Sequence, residues 1–185
     1  MSQNRQQHTI VALVEDRPGV LTRVASMFRR RGYNISSLAV GKSEQPGLSR
    51  MTFVVSGDED TVSQVTKQLD KLIEVIRVSD ISNEEIVARE LALVKVSSTQ
   101  DTRGEIIQIV NLFRANIVDV GTRSMVIEIT GEEDKINALC KLLEPFGILE
   151  MLRTGRVAMV RGQANGRVSD SVGINGNGLD ESQAG

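Results

Sequence analysis

The sequence predicts an α+β protein made of two consecutive ferredoxin-like units, each with the element order βαββαβ. Two observations predict this fold. In the first half, the hydrophobic pattern alternates between the period of strands and the period of helices in that order. The pattern then recurs, because residues 125–143 repeat residues 51–69, and residues 100–114 repeat residues 15–29.

The elements of the first unit follow from spacing and turn signals. Val20, Val24 and Phe28 lie on one face of a predicted helix, and Pro46 with Gly47 marks the turn of a hairpin. The predicted elements are a strand at 9–14, a helix at 20–31, strands at 34–40 and 51–56, a helix at 58–72 and a strand at 73–78. The second unit repeats them with a shorter central hairpin.

These patterns divide the chain into four parts. Residues 8–80 form the first unit, 81–88 a short polar connector and 89–162 the second unit. Residues 163–185 are rich in Gly, Asn and Ser and predict a disordered tail. Helices in such a unit cover only one face of the sheet, so we expect the first unit to pair with a second copy as a homodimer.

Composition excludes several classes of protein. A net charge of −2 gives no overall reason to expect nucleic acid or an anionic membrane as a partner. The chain has one cysteine, Cys140, which fits a reducing compartment, and its neighbours predict a core position. We find no signal-peptide pattern and no apolar stretch long enough to span a bilayer, and therefore expect a cytoplasmic protein without a membrane partner.

The segment VEDRPGVL, before the first helix, is the strongest candidate site. Asp16 is predicted to cap the helix, with Pro18 in its first turn. This pattern is also that of an ordinary helix start. The functional interpretation adds Gly19, which lets a ligand carboxylate approach backbone N–H groups at the positive end of a helix, while Asp16 holds an ammonium group. A free α-amino acid carries both charges.

The segment GYNI, after the first helix, is a second candidate. Gly32 is expected as the C-terminal cap of the helix. Asn34 is disfavoured in a strand and indicates either turn chemistry or ligand contact. We place Asn34 at the same end of the first βα unit as the Asp16–Gly19 turn.

These motifs resemble those of a known family. Asp16, Gly19 and the βαββαβ order are similar to the ACT domain, a regulatory module that binds amino acids at a dimer interface. More closely, EDRPGVLTRVASMFRRRGYNISSLAVG, with LSRMT at 48–52, resembles the small regulatory subunits of acetolactate synthase, and the likeness runs from about residue 9 to residue 162.

The resemblance implies a non-catalytic subunit that binds and activates a large catalytic subunit and makes it sensitive to feedback by valine. It implies no cofactor on this chain, with thiamine diphosphate, magnesium and FAD on the large subunit. Leucine and isoleucine stay open as effectors. The implied effector site spans two ACT domains and comprises Asp16, Gly19, Val20, Leu21, Asn34 and Ile35.

Three other functions are compatible with the βαββαβ element order. An RNA-binding module of the same element order needs exposed aromatic residues, and the predicted central strands offer only Phe53. A self-sufficient enzyme needs convergent titratable groups, and we predict no catalytic or metal-binding residue. A free-standing ACT sensor of another enzyme is the third. The second unit keeps Asp101 and Gly104 but lacks Pro18 and Asn34, which favours a structural copy.

Overall fold

The computed structural model describes residues 6–162, which form two α+β units in sequence. The predicted tail at 163–185 lies outside the described residues. The first unit contains β1 (Gln6–Glu15), α1 (Val20–Arg31), β2 (Ile35–Lys42), β3 (Leu48–Gly57), α2 (Glu59–Leu69) and β4 (Val75–Asp80). The second contains β5 (Ile86–Ser97), α3 (Gln100–Leu112), β6 (Asn116–Val120), β7 (Ser124–Gly131), α4 (Glu133–Leu143), β8 (Ile148–Arg153) and β9 (Val157–Val160).

Both units have the predicted ferredoxin-like topology. The strand order is β2-β3-β1-β4 in the first sheet and β6-β7-β5-β8 in the second, and all neighbours are antiparallel. The fold class predicted from the repeat is therefore confirmed. In each sheet the second strand of the unit, β2 or β6, lies at an edge.

One face of each sheet packs against its two helices. Alternate residues of β1 and β3 point into the first core, where they meet the buried stripe of α1 and α2, as a half-covered sheet requires. This core comprises Ile10, Ala12, Val14, Met51, Phe53, Val55, Val20, Val24, Met27, Phe28, Val62, Val65 and Leu69 among others. In the second core Cys140 is 8% exposed, as predicted.

Helix α2 begins with a side-chain cap. Asp58 accepts a hydrogen bond from the backbone N–H of Thr61 at 2.8 Å. The hydrogen bonds from the Thr61 side chain and backbone lower the pKa of the Asp58 carboxyl below its ordinary value. The cap ties the start of α2 to the end of β3.

Strand β9 was not predicted. Its four residues pair with Ile86–Arg89, the first four residues of β5. Strand β5 therefore begins inside the segment predicted as a connector and belongs to both the second sheet and a two-stranded ribbon.

Arg156, just before β9, joins the two units. Its backbone N–H donates to Ser37 Oγ at 2.8 Å, and its guanidinium donates to Thr9 Oγ1 at 3.2 Å and Gln7 Oε1 at 3.4 Å. The same guanidinium reaches Glu133 of α4 at 3.0 Å. The second unit therefore partly covers the face of the first sheet that we predicted to lack helices.

Candidate functional site

The turn between β1 and α1 has an unusual helix start. Helix α1 begins at Val20, and its N-cap is Gly19, which has a φ of +90°. Within residues 6–162, no side chain caps this helix, and the backbone N–H groups of Leu21 and Thr22 donate no hydrogen bond. Free donors at the positive end of a helix form a potential site for an anionic group.

The predicted role of Asp16 as the cap of α1 is wrong. Asp16 lies three residues before the N-cap, and Pro18 precedes the helix instead of occupying its first turn. The backbone N–H of Asp16 donates to the carbonyl of Gly47 at 2.8 Å, which fastens the turn to the β2–β3 loop. The Asp16 side chain is exposed and thus available to a ligand.

The β2–β3 loop beside the turn carries its own charge pair. Glu44 lies 3.3 Å from Arg50 across the base of the loop. The backbone N–H of Glu44 and then the Arg50 guanidinium lower the pKa of the Glu44 carboxyl. The carboxylate therefore stays charged next to the candidate site at neutral pH.

The aliphatic candidates occupy different environments. Val20 is 4% exposed and belongs to the core, so only its backbone faces the turn, whereas Leu21 is 46% exposed on the helix surface. Ile35 is partly buried and packs against the first core. Leu21 is therefore the one apolar side chain of these three that is free to meet a ligand.

Asn34 does not lie at the same end of the unit as the turn, and that prediction is wrong. Helix α1 returns the chain across the sheet, so β2 starts where Ile35 pairs with Val55 and ends where Lys42 pairs with Ser49. The turn follows Glu15, which pairs with Leu48. At the rise of a strand, Asn34 and the turn are about 25 Å apart within one chain.

Glu74 is a residue near the turn that the sequence reasoning missed. Its carboxylate is 4% exposed and contacts Arg17 of the turn and Arg23 of α1. A signal was present: in LIEVI, a charged residue stands between apolar neighbours immediately before a strand. Such a position indicates a buried charge with dedicated partners.

The second unit lacks this turn, although it repeats Asp16 and Gly19 as Asp101 and Gly104. Helix α3 begins at Gln100, and Thr99 caps it through a reciprocal pair of hydrogen bonds with Thr102. Asp101 and Gly104 consequently lie inside the helix. The matching sequence signature produces a capped helix here and an uncapped one in the first unit.

Over residues 6–162, no group of three or more His, Cys, Asp and Glu side chains is arranged to hold a metal ion. In the same part of the chain, no helix is long and apolar enough to cross a membrane. The glycine turn offers free backbone donors and the exposed carboxylate of Asp16, the two kinds of group that can bind a small zwitterion. Together with the βαββαβ sheet, this turn defines a protein of the ACT-domain class.

Comparison with known proteins sharpens this class. Residues 10–77 match the family model described as the AHAS small subunit-like ACT domain, and residues 89–162 match that of the small subunit of acetolactate synthase. Together the two models cover most of the chain. The chain belongs to the family of acetolactate synthase small subunits.

Individual relatives agree. The chain is 57% identical to a probable acetolactate synthase small subunit of Archaeoglobus fulgidus over 84% of this chain and 98% of that one. It is 53% identical to the acetolactate synthase small subunit of Mycolicibacterium smegmatis over 88% and 95%. The crystal structure of the small subunit from Thermotoga maritima superposes with a TM-score of 0.79, at 44% identity, over 85% and 99%.

Proposed function

We propose that this chain is the regulatory subunit that binds the thiamine-diphosphate-dependent large subunit of acetolactate synthase, activates it and confers feedback inhibition by valine. The observation that carries the proposal is the uncapped start of α1 at Gly19 in a chain of this family. The cofactors of the reaction, thiamine diphosphate, magnesium and FAD, belong to the large subunit in this proposal.

The turn offers complementary groups to a free amino acid. The unpaired N–H groups of Leu21 and Thr22 suit an α-carboxylate, and the exposed carboxylate of Asp16 suits an α-ammonium. The half-exposed side chain of Leu21 supplies apolar contact for an aliphatic side chain. Valine, leucine and isoleucine share this chemistry.

The site is completed by a second copy of the chain. Strand β2 is an edge, so within the described residues its outer side has no strand partner. If two β2 strands pair antiparallel about a two-fold axis, the Ile35 end of one strand lies beside the Lys42 end of the other. The Lys42 end lies at the level of the turn, because Ser49 pairs with both Lys42 and Val14.

This pairing removes the separation seen within one chain. Asn34 of the second copy comes to the turn of the first, and the reverse holds by symmetry. Val40 is 47% exposed on the same edge and adds apolar surface to the seam. Effector binding is then a property of the homodimer.

Regulation follows from linkage. An amino acid that bridges two ACT domains stabilises the dimer geometry in which it binds, while the large subunit is more active with another geometry. Docking of the large subunit must then change effector affinity by the same factor, typically equivalent to about 1–3 kcal/mol.

The test is reconstitution. The purified chain is mixed with its large subunit, and acetolactate formation is measured with and without valine, leucine or isoleucine. The proposal expects stimulation by the chain and inhibition by at least valine. Absence of stimulation would contradict the proposal and leave a free-standing ACT sensor.

A further inference from the structure

Glu74 is a buried carboxylate in the loop between α2 and β4. Its side chain is 4% exposed, and its backbone carbonyl accepts a hydrogen bond from the N–H of Glu15 at 2.9 Å. A charge at this depth is unfavourable unless it is paired. The identity of its partners therefore shows which part of the molecule the carboxylate holds.

Both partners flank the glycine turn. Arg23 Nη1, in the first turn of α1, lies 2.6 Å from Glu74 Oε1, and Arg17 Nη2, in the turn itself, lies 3.4 Å from the same oxygen. Arg17 also contacts Glu15, the last residue of β1, at 2.6 Å. The buried carboxylate thus connects the residues on either side of Gly19.

Such a connection matters because the turn has few other restraints. Three backbone hydrogen bonds hold it, from Asp16 N–H to Gly47, from Val20 N–H to Arg17 at 3.5 Å and from Arg23 N–H to Gly19, and no side chain of the described residues caps α1. A site that recognises a small ligand through backbone donors loses affinity when those donors are free to reorient.

We propose that Glu74 is a positioning residue for the effector: through Arg23 and Arg17 it fixes the start of α1 in the geometry that binds an amino acid. This inference rests on the proposed function. Glu74 itself is buried behind the turn, so it acts through the two arginines and not by contact with the ligand.

The sign of the effect separates positioning from simple electrostatics. Removal of the Glu74 charge releases two guanidinium groups near the place where an effector carboxylate would bind. Their attraction for a carboxylate would tighten binding. Loss of positioning would weaken it, so the direction of change in valine affinity is diagnostic.

The experiment uses the full chain reconstituted with its large subunit. Glu74→Gln keeps the shape of the side chain and removes its charge, and it is expected to raise the half-inhibitory valine concentration by at least about tenfold. Glu74→Asp keeps the charge and should recover part of this loss. Glu132→Gln is the matched control, because Glu132 is 70% exposed and pairs with Arg89 at 3.6 Å in the second unit.

Circular dichroism shows whether Glu74→Gln folds. A second variant, on the other side of the same contact, keeps the inference testable if it does not. Arg23→Gln alters a side chain that is 63% exposed and removes the shorter contact, so it should weaken valine inhibition in the same direction. Glu74→Gln combined with Arg23→Gln should be no worse than the more affected single variant, because both act through one contact.

Three results would overturn the inference. They are an unchanged half-inhibitory concentration in Glu74→Gln, a lower one, or additive losses in the double variant. If the wild-type complex is stimulated but no branched-chain amino acid inhibits it, the effector proposal and this inference fail together. If the wild-type complex is inhibited and Glu74→Gln behaves like it, only the inference fails.

Discussion

Gly19 combines an unstrained positive φ with the absence of a side chain. Its φ of +90° lies in a region that residues with a Cβ adopt only with strain, and a Cβ built there would meet no atom within 4 Å. The space beside the turn is therefore open. Glycine suits this position because of its backbone conformation and because it leaves the helix N–H groups accessible.

Replacement of Gly19 by Asp should abolish inhibition by valine. The new side chain occupies the path of the effector carboxylate and adds a repelling charge, and the positive φ adds strain of about 1–3 kcal/mol. Acetolactate formation by the reconstituted complex, titrated with valine, measures the effect.

Gly104→Asp provides the control, because Gly104 aligns with Gly19 in the repeat but lies inside α3. Valine inhibition should persist in that variant. Full inhibition in Gly19→Asp would show that the effector binds elsewhere.

Asn34 marks the limit of sequence reasoning at the residue scale. Its polarity in a strand context singled it out, but its distance from the turn depends on the direction in which α1 returns across the sheet. Asn34→Ala should weaken effector binding, because it removes amide hydrogen bonds from the second copy without touching the core: Asn34 is exposed. Calorimetric titration of the dimer with valine measures this change.

Helix boundaries show which local signals can be trusted. The end of α1 was predicted from Gly32, which has a φ of +69° and forms the C-terminal cap of the helix. The start was also predicted, at residue 20, but its cap was not, because Asp16 and Pro18 match a capping pattern that would begin the helix three residues earlier. A terminal glycine has one conformational role here, whereas an acidic residue has several.

The capped helix α3 contains an interior glycine that lowers the stability of the protein. Gly104 lies in its interior with nothing within 4 Å of an added Cβ. Gly104→Ala should raise the free energy of unfolding by about 0.5–1 kcal/mol, since it lowers the backbone entropy of the unfolded chain. Urea denaturation followed by circular dichroism tests this, and a lower midpoint would show that the backbone of α3 does not tolerate a Cβ.

Edge strand β2 should carry the homodimer contact. Val40→Lys places a charge on that edge and is expected to shift the dimer toward monomer and to weaken valine binding. Sedimentation equilibrium measures the first effect. Val120→Lys is the matched control, since Val120 of β6 pairs with Met125 as Val40 pairs with Met51. Equal dissociation by both variants would place the interface outside β2.

At the scale of the whole molecule, the repeat allowed both units to be predicted and the short connector indicated that they touch, but the residues that join them could not be predicted. The join depends on Arg156, whose partners lie about 120 to 150 positions away in sequence in the first unit. Strand β9 escaped prediction for a related reason: four residues carry too little periodicity, and the strand exists because β5 extends beyond its own sheet.

Arg156→Ala should loosen the two units from each other. The side chain is 23% exposed and hydrogen-bonds to Thr9, Gln7 and Glu133, so its loss should cost about 1–3 kcal/mol of stability and increase proteolysis in the segment at 81–85. Urea denaturation and limited proteolysis measure both.

Arg89→Ala serves as the comparison, because its partner Glu132 is 70% exposed and such pairs contribute about 0–1 kcal/mol. If the two variants are equally stable, Arg156 does not join the units energetically.

The helix starts of the two units have a consequence for engineering. Relative to the repeat, α3 begins five residues earlier than α1, because Val20 aligns with Glu105 and α3 begins at Gln100. About one and a half turns of helix therefore occupy the residues that form an open turn in the first unit. The same pair of residues, an aspartate and a glycine three positions on, thus borders an open turn in one unit and lies inside a helix in the other. Conversely, a designer who unwinds the start of α3, by removing the Thr99 cap and placing proline before Gly104, has a route to a second open turn of this kind on the same chain.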